Sequence, residues 1–130
     1  MIEGFKGLHA EGKSHNDVKL VLFRKSNLNY FPRDLGKHFP NLTDLFIIGS
    51  GLKEVTKNDL KGLEGLTCLH IRNCQLTTLP DDLFTEMPNL REVSFCGNKI
   101  DFASSELLKP LIGREIIRLG DLENWKISLK

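Results

Sequence analysis

The chain repeats itself with a period of 24 residues, and a fixed period of this length constrains the fold more than any local pattern does. Val18, Leu42, Leu66 and Leu90 open four segments that align without insertion and together cover residues 18–113. At the first, fourth, sixth, eleventh, fourteenth, nineteenth and twenty-second positions, every residue in the four segments is apolar except Gly36. A unit this short cannot bury its apolar side alone, so the segments must stack, each covering its neighbour. With 130 residues, 40% apolar and 27% charged, the chain is one domain's worth and can bury a real core. A disordered tail and a fibrous polymer are excluded.

The third segment is the most informative. Leu66, Leu69, Ile71, Cys74 and Leu76, followed by Leu79, Pro80, Phe84 and Met87, are similar to the leucine-rich repeat pattern L-x-x-L-x-L-x-x-N/C-x-L and its LPxxxFxxL tail. The resemblance covers about three quarters of the chain. It implies an α/β leucine-rich repeat solenoid, a short right-handed horseshoe with a parallel β-sheet on its concave face. A short strand with period-2 alternation that follows a bend lets Leu66, Leu69 and Ile71 all point inward, while Thr67, Cys68, His70, Arg72 and Asn73 face out. The convex return is expected from turns, 3₁₀ pieces or short helix. The ninth position reads Ser26, Ser50, Cys74 and Asn98, small groups suited to satisfying backbone atoms at the turn, so Cys74 is read as structural.

Such a stack needs covered ends. Residues 1–17 are read as an N-terminal cap, with a strand over Ile2 to Leu8 turning back through Gly12 to Asp17, and residues 18–113 as four repeats. Residues 114–130 are read as a decayed fifth repeat and C-terminal cap, with Ile117 and Leu119 at the fourth and sixth positions and Trp125 and Ile127 closing the stack. Ser104 or Ser105 is expected to cap a short helix running through Leu108 before Pro110.

Several motifs suggest chemistry. Gly7, Gly12, Lys13 and Ser14 in GLHAEGKS satisfy G-x-x-x-x-G-K-[ST], the phosphate-cradling loop, and make a nucleotide-binding protein the alternative function. That mechanism needs a helix starting at the lysine, whereas the repeat register puts a strand next, so the glycines are read as cap turns. Cys68, His70, Cys74 and Cys96 mix metal-ligand types. However, Cys74 should point into the stack, and Cys96 should lie roughly 13 Å along the strands from Cys68, so neither a metal site nor a disulfide is expected. Three cysteines are an odd number, and a reduced state is the default. His70 beside Ser94, with Asp44 or Glu92 in reach, sketches a hydrolase triad, but an open sheet offers no oxyanion donors. The expectation is no catalysis and no cofactor. Asn41-Leu42-Thr43 spells a glycosylation sequon, yet Asn89 recurs at the same repeat position and favours a turn role.

Function on such a scaffold is expected on the exposed sheet face. Its columns read Leu20, Asp44, Cys68, Glu92 and Ile116; Leu22, Phe46, His70, Ser94 and Arg118; and Arg24, Ile48, Arg72, Cys96 and Gly120. Leu20, Leu22, Phe46 and Ile48 make an apolar patch bordered by Arg24, His70 and Arg72, the composition of a protein-binding hot spot. These seven residues are the expected partner-binding site. The competing reading is a patch covered by the N-terminal cap or by a second copy, which would make a homodimer seam of a self-associating structural protein. A net charge of +1 offers no broad field for nucleic acid, and the longest apolar run, Leu45 to Ile48, is far too short to insert in a membrane.

The stretches GLHAEGKSHNDVKLVLF, YFPRDLGKHFPNL, SGLKEVTKNDLKGL and LPDDLFTEMPNLREVSFCGNKI together resemble the small secreted leucine-rich repeat proteins of flies, midges and mosquitoes. That resemblance implies an extracellular binding protein, with immune recognition a common role in the group. Two features depart from the pattern: residues 1–4 lack a signal-peptide layout, and neither the first repeat nor the Glu123 to Ile127 tract carries a cap cysteine. Either the chain is trimmed or its caps work without disulfides, and the localisation stays open at this point.

Overall fold

The computed structural model describes residues 15–25, 27–100, 102–113, 116–118 and 126–128. Five parallel strands form the main sheet: β1 (Leu20–Arg24), β2 (Asp44–Ile48), β3 (Cys68–Arg72), β4 (Glu92–Ser94) and, past a short second sheet, β6 (Ile116–Arg118). β5 (Phe102–Ser104) pairs in parallel with β7 (Lys126–Ser128). In every pairing the partner lies 24 residues along the chain, as in Leu22↔Phe46, Phe46↔His70, His70↔Ser94 and Ser94↔Arg118. The sequence period therefore sets the sheet register directly. Ile117 falls opposite Val93, so β6 keeps the same 24-residue register. The cap strand expected over Ile2 to Leu8, and Ser26, Leu119, Gly120 and Trp125, lie outside the described residues.

Alternation along each strand decides what the sheet buries. Leu45, Ile47, Leu69, Ile71, Val93 and Phe95 point into the core with essentially no exposure. Their equivalents in the first repeat, Val21 and Phe23, pack against the same core but are only partly buried, as are Val18 and Leu28 beside them. Opposite the sheet, the core is closed by Leu52, Val55, Leu60 and Leu63 in one repeat and by Leu76, Leu79, Phe84 and Met87 in the next. Gly36, the single non-apolar slot, has a packing reason. A Cβ there would meet the Gly62 carbonyl oxygen at 2.5 Å, so two backbones touch at this point. Leu35, one residue earlier, fills the core instead and is 1% exposed.

Backbone groups are satisfied by devices that recur from repeat to repeat. The carbonyl of Lys19 accepts from the N–H groups of both Thr43 and Asp44, that of Thr43 from Thr67 and Cys68, and that of Thr67 from Arg91 and Glu92. After each of β1 to β4 the chain turns at a residue of positive φ: Lys25 at 49°, Gly49 at 76°, Asn73 at 55° and Gly97 at 79°. Glycine and asparagine tolerate this conformation, and Lys25 is the exception. At the ninth position Asn98 donates from Nδ2 to the carbonyls of Ile71 (2.7 Å) and Phe95 (2.9 Å), and its Oδ1 accepts from the Leu76 N–H. Cys74 Sγ donates to the Arg72 carbonyl at 3.3 Å and meets Ser50 Oγ at 3.2 Å, so the structural role read for Cys74 is met.

The return segments are short. They comprise α1 (Leu35–His38), a 3₁₀ turn at Asn58–Leu60 and α2 (Ser105–Leu108), which leads into a 3₁₀ turn at Lys109–Leu111. Thr56 and Asp59 cap each other reciprocally, each accepting the other's backbone N–H on its side chain. Ser104 is the N-cap of α2, accepting from the Leu107 N–H at 3.1 Å, as the sequence suggested. Asn41 and Asn89 donate to the carbonyls of Asn16 and Glu64, one repeat earlier in each case. That shared bond is a structural reason for asparagine to recur there.

Candidate functional site

The outward-facing side chains of β1 to β4 form one continuous surface, and its columns run as the period predicts. The surface divides in two. On the β1–β2 side, Leu20 is 53% and Leu22 45% exposed, and their cross-strand neighbours are Asp44 and Phe46. Phe46 and Ile48 are half-buried and Arg24 is exposed. Arg24 pairs across the strands with Ile48, and Ile48 with Arg72. All seven residues of the expected site therefore stand on one sheet face, with the apolar ones contiguous.

On the β3–β4 side the groups satisfy one another. Cys68 and His70 are two residues apart on β3 and so share a face, and Glu92 is the cross-strand partner of Cys68 on β4. The Glu92 carboxylate meets His70 Nε2 at 2.6 Å and accepts from Cys68 Sγ at 3.5 Å. Cys68 was expected to face outward into solvent. It does stand on that face, but it is only 7% exposed, because a small thiol in line with Asp44 and Glu92 sits below its neighbours. Burial, together with the Glu92 and Asp44 carboxylates, pushes its pKa up to about 12. The thiol is therefore protonated at neutral pH.

His70 joins the halves. Its ring stands edge-on to Phe46 with centroids 4.8 Å apart, and its Nδ1 is buried without a hydrogen-bond partner, as is Nε of Arg72. The sketched triad is not assembled. Ser94 is 3% exposed and donates to Cys96 Sγ, while the His70 nitrogen that makes a hydrogen bond makes it to Glu92. Nor is the cysteine-rich quartet gathered, since Cys74 is in the core beneath the sheet. Glu92, placed in the sequence beside Cys68 in its column and within reach of His70 as a triad acid, bonds to both. The GLHAEGKS motif lies outside the described residues. After it come a 3₁₀ turn at His15–Asp17 and then β1, and among the described residues no α-helix precedes α1 at Leu35. Away from the sheet face, Thr56, Lys57, Pro80 and Glu86 line an open groove of about 550 Å³, crossed by a Lys57–Glu86 ion pair at 3.5 Å. Among the described residues no helix is long and apolar enough to cross a membrane.

A parallel sheet in 24-residue register, backed by short return segments and a ladder of polar groups at the ninth position, is the fold of a leucine-rich repeat solenoid. The chain is a leucine-rich repeat protein, and comparison with known proteins agrees. Volume-regulated anion channel subunit LRRC8D of Rattus norvegicus is 34% identical over 80 residues, which is 62% of this chain and 9% of that subunit. Subunit LRRC8B of Mus musculus is 30% identical over 98 residues, 75% of this chain and 12% of the subunit. The chain thus spans about a tenth of the length of these relatives. Among solved structures, the LRIM1/APL1C complex aligns with a TM-score of 0.70 at 15% identity, over 78% of this chain and 19% of that one. The Toll–Spatzle complex, from Drosophila, aligns at 0.69 and 17%, over 88% and 20%. At these identities the likeness is one of fold, and at that level it meets the insect resemblance drawn from the sequence. No protein-family model matches the chain.

Proposed function

We propose that the protein is a non-enzymatic interaction module that binds a protein partner through the exposed sheet face, with recognition or innate immunity as its setting. Leu20, Leu22, Phe46 and Ile48 form the apolar centre, and Arg24, His70 and Arg72 orient the partner. The observation that carries this reading is the exposure of two adjacent leucines beside a half-buried aromatic on a rigid sheet. Exposed contiguous apolar surface rimmed by cations is what a desolvated hot spot requires. The fold neighbours support the class of function: one is a complex of LRIM1 with APL1C, and the other is Toll with Spatzle, described as a hub in development and innate immunity.

The test is affinity capture from an extract of the source organism, using wild type beside the Phe46→Asp, Ile48→Asp double variant, with light scattering on both. A partner held by wild type and lost in the double variant supports the reading. Identical captures refute the assigned face. A dimer of wild type that the double variant dissociates would replace the partner with a second copy of the chain.

A further inference from the structure

The polar half of the sheet face gathers three chemically different donors at one point. Cys68 Sγ, His70 Nε2 and a Glu92 carboxylate oxygen all lie within 4.8 Å of one another. A tetrahedral ion with bonds of 2.0–2.3 Å holds its ligand atoms roughly 3.3–3.8 Å apart. The Cys68–Glu92 separation of 3.5 Å already falls in that range. The His70–Glu92 contact of 2.6 Å would open by about an ångström as its proton leaves, a shift that side-chain rotation can supply. The scaffold under the donors is rigid: Cys68 and His70 are fixed on β3, and Glu92 is held opposite Cys68 on β4. Asp44 flanks Cys68 on its other side, so a cation here sits between carboxylates of two neighbouring strands.

From this geometry we infer a transition-metal site on the sheet face, in which Cys68, His70 and Glu92 bind a zinc-type divalent cation. Thiolate, imidazole and carboxylate together select zinc over magnesium or calcium, whose ligands are all oxygen. Three protein ligands leave a tetrahedral ion one further position, for water or for a donor from a partner. On binding, the Cys68 S–H and the His70–Glu92 hydrogen bond are replaced by metal–ligand bonds, and the displaced protons pass to solvent. The site shares His70 with the partner-binding reading but takes no ligand from the apolar patch, and the metal titration is read without a partner, so either can fail without the other.

The test uses the reduced, metal-free full chain titrated with Co(II), which shows tetrahedral coordination by its visible ligand-field bands and a bound thiolate by a near-ultraviolet charge-transfer band. The expected result is both bands saturating at one equivalent and displacement of Co(II) by Zn(II). Cys68→Ser, checked for an unchanged far-ultraviolet circular dichroism spectrum, abolishes the charge-transfer band. Glu92→Gln, which leaves every thiol in place, raises Kd by more than about tenfold, since losing a ligand costs at least as much as losing an outer-shell partner. Cys96→Ser leaves the titration unchanged. Absence of the bands in wild type, survival of the charge-transfer band in Cys68→Ser, or its loss in Cys96→Ser would overturn the assignment.

Discussion

The two halves of the sheet face stand on the same repeated backbone and yet differ in how far they are finished. Between β1 and β2, Leu20 and Leu22 lie bare to solvent. Between β3 and β4, Cys68, His70 and Glu92 close on one another and Ser94 donates to Cys96. The repeat sets the same strand register in both places, so the contrast comes from the outward side chains and from the place of β1 at the edge of the described sheet, where β3 and β4 each have a strand on both sides. A solenoid can therefore write function on one face without altering the fold beneath it.

Changes to the shared support should break both halves together and have the largest effect. Ile71 is fully buried under the sheet, and Ile71→Ala should cost about 2–5 kcal/mol in urea unfolding, with capture of the partner and Co(II) coordination falling in parallel. A charge placed in the apolar half on β1, one strand further from His70 than Phe46, should act on one side alone: Leu22→Asp should remove most of the partner affinity, on the order of 2 kcal/mol or more, while leaving the metal titration as in wild type.

The polar half can be sharpened through its thiol. In the metal-free protein with chelator present, the Cys68 pKa is raised from 9.0 to about 12, so the folded state holds a proton that the unfolded chain releases. Its contribution to stability is present in full below about pH 9 and is lost as pH rises towards 12. Burial is the largest cause and the Glu92 charge the next, so Glu92→Gln should move the midpoint of Cys68 alkylation to lower pH without returning it to 9.0. Alkylation rates across pH in a Cys96→Ser background measure it. The smallest effect belongs to the exposed leucines as structural elements: Leu22→Ala should change unfolding stability by less than about 0.5 kcal/mol, which would separate binding from folding at that position.

Much of this was legible in the sequence because the period carries it. The strand register, the inward columns and the ninth-position polar ladder follow from residues spaced 24 apart, the Ser104 cap follows from a local helix-start signal, and the structure keeps the spacing in every strand pair. What the period could not show was local close packing. Gly36 breaks the apolar column because the backbones of two repeats touch there, and Leu35 one position earlier takes up the core, as Leu83 and Leu107 do in the third and fourth repeats, Asp59 standing at that position in the second. A signal for the positive-φ turn was present, since the eighth position reads Lys25, Gly49, Asn73 and Gly97, but the lysine disguises it. Cys68 and Ser94 were placed on the correct face, yet their burial depends on how far neighbouring side chains reach over them, which strand alternation does not encode. For the same reason the junction of Glu92 with Cys68 and His70 shows only when side chains are placed across strands.

The central claim is that the partner meets the apolar half of the sheet face. A photoreactive amino acid placed at Leu22 tests it most directly, compared with the same group at Lys57 beside the groove away from the sheet, each irradiated in the source extract and read by mass spectrometry. The expected result is a discrete crosslinked partner from Leu22 and none from Lys57. The same partner from Lys57 alone, or equally from both positions, would contradict the claim.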